Sequence, residues 1–146
     1  MSNVTLAAAE QIVDAALAEG RALGLNPLTV VVLDGGGHLV ACKREDNSSI
    51  MRPQVATGKA WGCLAMGESS RSLGDKVVER PHFGTAISVA SEGRLVPVPG
   101  GVLIRDAAGT VIGAVGISGD VSDADERCAI VGVRAAGLTP EPAEPA

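Results

Sequence analysis

Residues 28–42 read LTVVVLDGGGHLVAC, and this stretch decides the fold class. The β-branched run before Asp34 and the apolar run after His38 each have the composition of a strand. Three consecutive glycines between the runs suit a tight turn, because glycine adopts turn conformations that other residues avoid. The stretch therefore predicts a β-hairpin, whose two strands are antiparallel neighbours.

A second hairpin is predicted nearer the C-terminus. Residues 102–105 and 110–118 are apolar runs, and residues 106–109 between them suit a turn. Residues 95–101 read LVPVPGG and predict an extended segment, since proline blocks helix formation. A doubly wound fold joins its parallel strands by crossover helices, whereas the strands predicted here are joined by hairpins. We therefore expect an α+β fold in which helices cover an antiparallel sheet.

Helices are predicted before and between the hairpins. Thr5 is a suitable cap for a first helix that ends at Gly24, and Pro53 fits the first turn of a second helix rich in small side chains. Because a small-residue face lets a neighbour approach closely, we expect tight packing against the second helix. The helical pattern breaks at residues 69–74 and resumes in a short helix that ends near Ala90.

The last helix is predicted to begin with a capping box and to end near Gly137. Ser122 stands three residues before Asp125, as such a box requires, although Asp replaces the preferred Glu or Gln. Residues 138–146 contain three prolines and little that can be buried. We therefore expect residues 138–146 to be a disordered tail.

Length and composition restrict the class of protein. The chain has 146 residues, 46% hydrophobic and 20% charged, which suits a single globular domain, placed here at residues 1–137. A formal net charge of -5 without a cluster of Lys and Arg argues against nucleic acid and anionic membranes as partners. The sequence contains no apolar run of the roughly 18 residues that a membrane span needs, so we expect a cytoplasmic protein.

The five residues Glu-Arg-Pro-His-Phe at 79–83 form the densest cluster of chemically useful side chains. Glu79 offers a carboxylate, Arg80 a guanidinium that binds anions, and His82 an imidazole that exchanges protons near neutral pH. A helix start explains the same residues, because Pro81 favours a first turn and Glu79 offsets the helix dipole. Both interpretations, a site and a helix start, stay open.

Single side chains elsewhere are further candidates. Asp34 either contributes to a cleft or hydrogen-bonds its own turn. Lys59, about one position off the small-residue face of the second helix, either extends to water or points into a cleft. His38, beside the glycine turn, is expected to be solvated. We expect the three cysteines to be small buried side chains, not disulfides or zinc ligands.

Several glycine-rich segments occur in an order that resembles the GlcG/HbpS family, also described as PduO C-terminal-like or haem-degrading. The matching segments are VLDGGGHLV (32–40), KA (59–60), ERPHF (79–83), PGGV (99–102), GAVGISG (113–119) and DE (125–126). Each segment is weak alone, but their order and spacing over about residues 4–137 are specific.

The resemblance implies a profilin-like fold, with about five antiparallel strands flanked by helices, and assembly into homo-oligomers, often octamers. It also implies a functionally mixed family. Some members bind haem or affect its degradation, others accompany glycolate or cobalamin pathways without an assigned reaction, and one branch resembles lyases acting on hydroxylamino aromatics. The family therefore implies a fold more firmly than a function.

Three functions are open at this point. The favoured one is a small-molecule-binding protein whose ligand is haem or a related compound. The second is a cofactor-independent lyase or isomerase for a small aromatic or carboxylate substrate. The third is an oligomeric accessory protein without turnover. The candidate catalytic residues for the second function are Glu79, Arg80, His82, Lys59 and Asp34.

Ligand contacts are expected at the 79–83 cluster and at one glycine pair. The predicted contacts are Arg80, His82, Phe83, Gly100 and Gly101. His82 is the predicted metal ligand if haem iron is bound, because histidine is a common axial ligand. The alternative axial ligands are Met51, Met66 and Cys63.

Overall fold

The computed structural model describes residues 3–146, which contain five helices and five strands. The helices are α1 (Leu6–Ala22), α2 (Arg52–Met66), α3 (Ser70–Glu79), α4 (Pro81–Ala90) and α5 (Ser122–Ala135). The strands are β1 (Thr29–Asp34), β2 (Leu39–Arg44), β3 (Gly101–Arg105), β4 (Val111–Ser118) and β5 (Thr139–Glu141). None of the helices in residues 3–146 is long and apolar enough to cross a lipid bilayer.

The five strands form one antiparallel sheet in the order β2-β1-β4-β3-β5. Both predicted hairpins are present, because β1 pairs with β2 and β3 pairs with β4. The hairpins join through β1 and β4, where Val32 lies opposite Val115. The predicted α+β fold with an antiparallel sheet of five strands is therefore confirmed.

Alternating side chains along β1 separate two apolar cores. Val30 and Val32 pack with α1 and α5 on one face of the sheet, whereas Val31 and Leu33 pack with α2 on the other. Successive side chains of a strand point to opposite faces, so one apolar run serves both cores. The sheet is the middle layer between these two sets of helices.

Glycines let α2 lie almost directly on the sheet. A Cβ at Gly116 would lie 1.9 Å from the carbonyl oxygen of Ala56, and one at Gly101 would lie 2.4 Å from that of Lys59. Neither position has room for a side chain, so both strands present bare backbone to the helix. The tight packing predicted from the small side chains of α2 is confirmed, and the neighbour is the sheet.

The middle third contains one helix more than the sequence predicted. The helix α3 begins at residue 70, inside the segment where the pattern breaks. Ser69 caps it, because its hydroxyl accepts a hydrogen bond from the N–H of Ser72 at 3.2 Å. Serine-rich composition is typical of loops, but here it supplies the helix cap. Among the elements of residues 3–146, α4 then packs against α3 alone.

The prediction of a disordered tail is wrong for residues 139–141. These residues form β5, which pairs with the edge of β3 and buries Pro140. Arg105 of β3 also forms an ion pair with Glu141 at 2.9 Å. Proline is compatible with this strand, because an edge position does not need every N–H for the sheet.

Candidate functional site

The residues 79–83 lie at the corner between α3 and α4. Pro81 begins α4, so the helix-start interpretation is confirmed. The guanidinium of Arg80 lies 5.2 Å from the centre of the Phe83 ring. Glu79, Arg80 and His82 are exposed, and within residues 3–146 their side chains form no hydrogen bond or ion pair. Their catalytic and ligand-binding roles stay predictions.

Asp34 hydrogen-bonds its own turn. Its Oδ1 accepts from the N–H of His38 at 3.0 Å and from that of Gly36 at 2.9 Å. These bonds, chiefly the one from His38, hold the pKa of Asp34 below its ordinary value because they favour the carboxylate. The His38 ring is exposed, with Nδ1 3.2 Å from Oδ1 of Asp34. The turn interpretation of Asp34 and the solvated His38 are therefore confirmed.

Lys59 lies in the middle of α2 and is only 2% exposed. Its Nζ donates to the carbonyl oxygen of Ile117 at 2.9 Å and to Oδ2 of Asp125 at 3.2 Å. Burial lowers the pKa of Lys59 and raises that of Asp125, because leaving water disfavours both charged forms. The prediction that Lys59 reaches water or a cleft is wrong, since the ion pair satisfies the ammonium inside the fold.

The acidic residues at the start of α5 do not form the predicted capping box. Val121 is the cap residue, and Asp125 turns inward to Lys59 instead of bonding back to Ser122. Glu126 is fully buried, with its Oε2 accepting from Nε of Arg71 at 2.9 Å. Within residues 3–146 its Oε1 has no hydrogen-bond partner. The predicted capping box is therefore wrong, because these carboxylates bind cations of other helices.

The glycine pair predicted to contact a ligand contacts helices in this structure. A Cβ at Gly100 would lie 2.8 Å from Nζ of Lys59. The N–H of Gly101 donates to the hydroxyl of Ser70 at 2.7 Å. Both glycines are buried, and they seat α2 and α3 against β3. A ligand-contact role for this pair stays a prediction.

The predicted site residues therefore occupy three separate places. Asp34 ends β1, whereas Lys59 bonds to Ile117, whose partner on β1 is Val30. Four residues of strand separate these two points, which is about 13 Å. The corner 79–83 is a third place, on the two helices beyond α2. The fold thus joins Lys59 with the glycine pair but does not bring all five candidate catalytic residues together.

A mostly apolar groove of about 450 Å³ lies between α2 and the segment that follows α4. The N–H of Val96 donates to the carbonyl oxygen of Gly58 at 3.1 Å and fixes this segment on the helix. Glycine is required at position 58, because a Cβ there would lie 2.4 Å from Cγ2 of Val96. We call this feature the Trp61 groove. Its main walls are Met51, Pro53, Val55, Trp61, Arg94 and Val96.

Trp61 and Arg94 give the groove its chemistry. The guanidinium of Arg94 lies 4.2 Å from the centre of the Trp61 ring, which is a cation–π contact. Nε of Arg94 donates to the carbonyl oxygen of Ser91 at 3.0 Å, and within residues 3–146 no carboxylate pairs with this guanidinium. The groove therefore offers a flat apolar surface next to one cation with N–H groups available for an anion.

The contact between Trp61 and Arg94 was not predicted from the sequence. The available signal was one tryptophan on a helix whose other side chains are mostly small. Arg94 lies two helices farther along the chain, so no local pattern joins it to Trp61. Only the fold of the segment after α4 shows that the two side chains meet.

A second groove, of about 550 Å³, lies between α1 and β2 and is lined mostly by charged residues. Two of its cations already have acidic partners. Arg21 pairs with Glu45 at 3.0 Å, and Lys43 pairs with Asp14 at 2.7 Å. Charges that neutralise each other attract a ligand weakly, so we place the candidate site in the Trp61 groove.

The thiols differ in exposure. Burial raises the pKa of Cys63 and of Cys128 to about 12, so both stay protonated near neutral pH. Cys42 is exposed, contrary to expectation, because it lies on the edge strand β2. Cys63 is fully buried and donates its S–H to the carbonyl oxygen of Lys59 at 3.2 Å, and its role as an axial ligand stays a prediction.

Residues 4–134 match the family model described as haem degrading protein HbpS-like. The chain belongs to the HbpS-like family. This match covers most of the chain and confirms the resemblance stated from the glycine-rich segments.

Individual relatives agree with the family assignment. The uncharacterized 15.0 kDa protein in the dhaT-dhaS intergenic region of Citrobacter freundii is 28% identical over 126 residues, 86% of each chain. The PduOC:heme complex has a TM-score of 0.83 at 24% identity, covering 93% of this chain and 96% of that one. The Klebsiella pneumoniae protein ORFY has a TM-score of 0.84 at 24% identity, covering 94% and 92%. Likenesses at this identity show that the fold is shared.

Haem is the group that the description of the HbpS-like family names, and the Trp61 groove has residues that fit it. Apolar walls suit the faces of a porphyrin, and Arg94 suits a propionate. Met51 lines the same groove, and its thioether would hold the iron there. His82 and Met66 are not among the residues that line the groove.

Proposed function

We propose that this chain binds a flat, largely apolar small molecule with an anionic group in the Trp61 groove, and that haem is the leading candidate. The observation that carries the proposal is the Arg94 guanidinium stacked on Trp61 within an apolar wall. Stacking surface and a cation together recognise a molecule that has both an aromatic face and a carboxylate. The haem-related description of the family supports the same ligand class.

Each wall of the groove has a separate role in this proposal. Trp61 and Val96 would contact the flat face of the ligand, and Arg94 would bind a carboxylate such as a propionate. If the ligand is haem, the sulfur of Met51 would bind the iron. Bound haem supplies a redox-active iron, while the residues of this chain bind, orient and shield it.

Haem titration of the purified protein tests the proposal with two signals. Soret absorbance reports the haem, and quenching of Trp61, the only tryptophan in the chain, is a second signal of binding. The Arg94 variant then locates the site. We expect haem to quench Trp61 in the same titration that shifts the Soret band. Arg94→Gln should weaken binding about tenfold or more, since a charge-assisted hydrogen bond contributes about 1.5 to 3 kcal/mol. Met51→Leu should change the spectrum of bound haem more than the affinity.

Arg21→Gln is the matched control, because it removes an arginine from the second groove and leaves the Trp61 groove intact. Its haem affinity should equal that of the wild-type chain. Haem that binds without quenching Trp61, or equally well to Arg94→Gln, would contradict this site. A small planar carboxylate without iron, such as protoporphyrin, separates recognition of the ring from recognition of the metal.

We propose as a second candidate a lyase or isomerase reaction at the exposed corner 79–83. Supporting it, the Arg80 guanidinium lies over the Phe83 ring, and Glu79, Arg80 and His82 are exposed and accessible to a small substrate. In a screen of small aromatic and carboxylate compounds, His82→Ala and Arg80→Ala should each cost about 2 to 4 kcal/mol in binding or transition-state stabilisation. Stability should change little. Wild-type rates in both variants would remove this candidate.

We also propose that the chain associates with copies of itself. Large apolar side chains that are exposed in the single chain support this proposal, because such surfaces usually mark interfaces. Examples are Ile50, 87% exposed, Val78, 82% exposed, and Val89, 74% exposed. Light scattering at micromolar concentration should give a mass that is a multiple of 14.6 kDa. A mass of one chain would contradict self-association.

A further inference from the structure

The turn between β1 and β2 carries a histidine that the hairpin itself does not need. The second hairpin has the same turn, in which Asp106 takes the place of Asp34 and its Oδ1 accepts from the N–H groups two and four residues on. The residue at the place of His38 is there Thr110, and both closing backbone hydrogen bonds are kept. A threonine therefore suffices for this turn, so the hairpin does not explain the imidazole.

Asp34 determines which nitrogen of His38 is free. Nδ1 lies 3.2 Å from Oδ1 of Asp34, and an ionised carboxylate can only accept hydrogen bonds. Nδ1 therefore carries the proton, and Nε2 has a free lone pair that can act as a base. Gly36 makes room for this arrangement, because a Cβ there would lie 2.9 Å from both Cε1 and Nδ1 of the ring. A base oriented by a third group in this way is typical of catalytic sites.

The same turn lies against Trp61, a wall of the groove. A Cβ at Gly37 would lie 3.2 Å from Cδ1 and 3.3 Å from Nε1 of the indole. Within residues 3–146, the indole N–H donates no hydrogen bond. His38 directly follows Gly37, and the guanidinium of Arg94 lies over the same indole. A base, an unused N–H donor and a cation therefore surround one aromatic ring.

We propose that His38 and the indole N–H of Trp61 catalyse proton transfer at a carbon acid bound in the Trp61 groove, and that the substrate is a flat 2-oxo acid. This inference rests on the proposed function, because Arg94 would hold the carboxylate and the apolar walls would hold the flat group. The carbonyl of a 2-oxo acid acidifies the neighbouring C–H, and an imidazole is suited to remove such a proton near neutral pH.

The step interconverts a keto acid and its enol without a cofactor. Nε2 of His38 takes a proton from C3, and the electron pair of that C–H bond forms the double bond between C2 and C3. The oxygen on C2 takes up the negative charge and accepts a hydrogen bond from the indole N–H. Asp34 stabilises the imidazolium, which then returns a proton to that oxygen or to C3. All atoms of the substrate are conserved.

Deuterium exchange at C3 of phenylpyruvate in heavy water, followed by proton NMR, tests this step without haem. The wild-type chain should accelerate exchange in proportion to its concentration. His38→Gln should lower kcat about a hundredfold with little change in KM, since a general base contributes about 10² to 10⁴ in rate. Thr110→Gln places the same side chain in the equivalent turn and should keep the wild-type rate. Wild-type exchange in His38→Gln, or equal loss in both variants, overturns the proposal.

Two further variants test the other roles. Trp61→Phe keeps an aromatic wall but removes the N–H donor, and Asp34→Asn keeps an acceptor for the turn but removes the charge that stabilises the imidazolium. Each should lower kcat about tenfold or more while KM changes little, because hydrogen bonds to charged groups contribute about 1.5 to 3 kcal/mol. A purely structural role for Asp34 would instead lower stability and leave kcat of the folded fraction unchanged, which would overturn its part in the step.

Calorimetric titration separates failure of this inference from failure of the proposed function. Phenylpyruvate should bind the wild-type chain and bind Arg94→Gln more weakly. If it binds in this way but exchanges no faster than in buffer, the catalytic inference is overturned and the proposed function stands. If haem binds in the groove and phenylpyruvate neither binds nor exchanges, the same holds. If neither compound binds there, the proposed function fails and the inference fails with it.

Discussion

At the scale of single residues, Lys59 shows how a buried charge escapes prediction. A lysine between small side chains of a helix usually extends to water, and its own neighbours in sequence give no sign of Asp125. The partner lies on α5, and only the packing of α2 and α5 around the end of β4 brings the two together. A buried pair of this kind depends on both members, because either charge alone is costly to bury.

Lys59→Met should be strongly destabilising. It leaves the carboxylate of Asp125 and the carbonyl oxygen of Ile117 buried without their shared donor. We expect the free energy of unfolding to fall by about 3 to 5 kcal/mol, measured by urea denaturation. The double variant Lys59→Met/Asp125→Leu should recover part of this loss, since it removes the orphaned charge. A single variant as stable as the wild-type chain would show that the pair contributes nothing.

Asp34 should make stability depend on pH in the acidic range. Its pKa is lower in the folded chain than the unfolded value of about 3.9, because the turn N–H groups favour the carboxylate. Its contribution is therefore present above that pH and is lost as pH falls through the folded pKa. Asp34→Ala should cost about 1 kcal/mol near pH 7 and progressively less below about pH 4.

Urea denaturation at several pH values measures this difference. The control is Asp46→Ala, because Asp46 is exposed and its side chain forms no hydrogen bond within residues 3–146. Its effect should be small at every pH. A cost of Asp34→Ala that stays constant down to about pH 3 would contradict the assignment of the turn as the cause.

At the scale of elements, hairpins were predictable and two other elements were not. The β-branched runs around the glycine turn predict β1 and β2 because their signal is local. Serine-rich composition usually indicates a loop, but here a serine caps α3. Proline usually argues against a strand, but β5 lies at the edge of the sheet, where proline is tolerated. What stabilises β5 is its pairing with β3, which lies more than thirty residues earlier and leaves no local sign.

Deleting residues 139–146 should lower stability, contrary to what a disordered tail implies. The deletion removes β5, exposes the edge of β3 and breaks the ion pair of Arg105 with Glu141. We expect a loss of about 1 to 3 kcal/mol in the free energy of unfolding and a greater tendency to aggregate through the free edge. Deleting only residues 142–146 is the control, because β5 then remains. Equal stability of the two truncated chains would contradict a structural role for β5.

At the scale of the whole molecule, the general architecture follows from the order of elements, but the candidate site does not. Two hairpins separated by helices are compatible with few arrangements, so a covered antiparallel sheet was predictable. Residues 79–83 could be recognised because they are adjacent in sequence. The Trp61 groove could not, because Trp61 and Arg94 belong to distant segments that a hydrogen bond from Val96 holds together.

The two cores should unfold together, because every central strand belongs to both. Alternate side chains of β1 pack into each core, so neither core can stay folded once the sheet unfolds. Trp61 fluorescence reports the α2 side, and far-UV circular dichroism reports all helices. The two signals should give one coincident urea transition. Separate midpoints would show that α2 and its core detach independently.

The dependence of Lys59 on Asp125 also limits how descendants of this chain can vary. A lineage that loses either residue first must pass through a protein with an orphaned interior charge, which natural selection removes when the fold is near its stability threshold. The two positions are therefore expected to be inherited as a unit. They should change in close succession, or after other substitutions have added enough stability to make the intermediate viable.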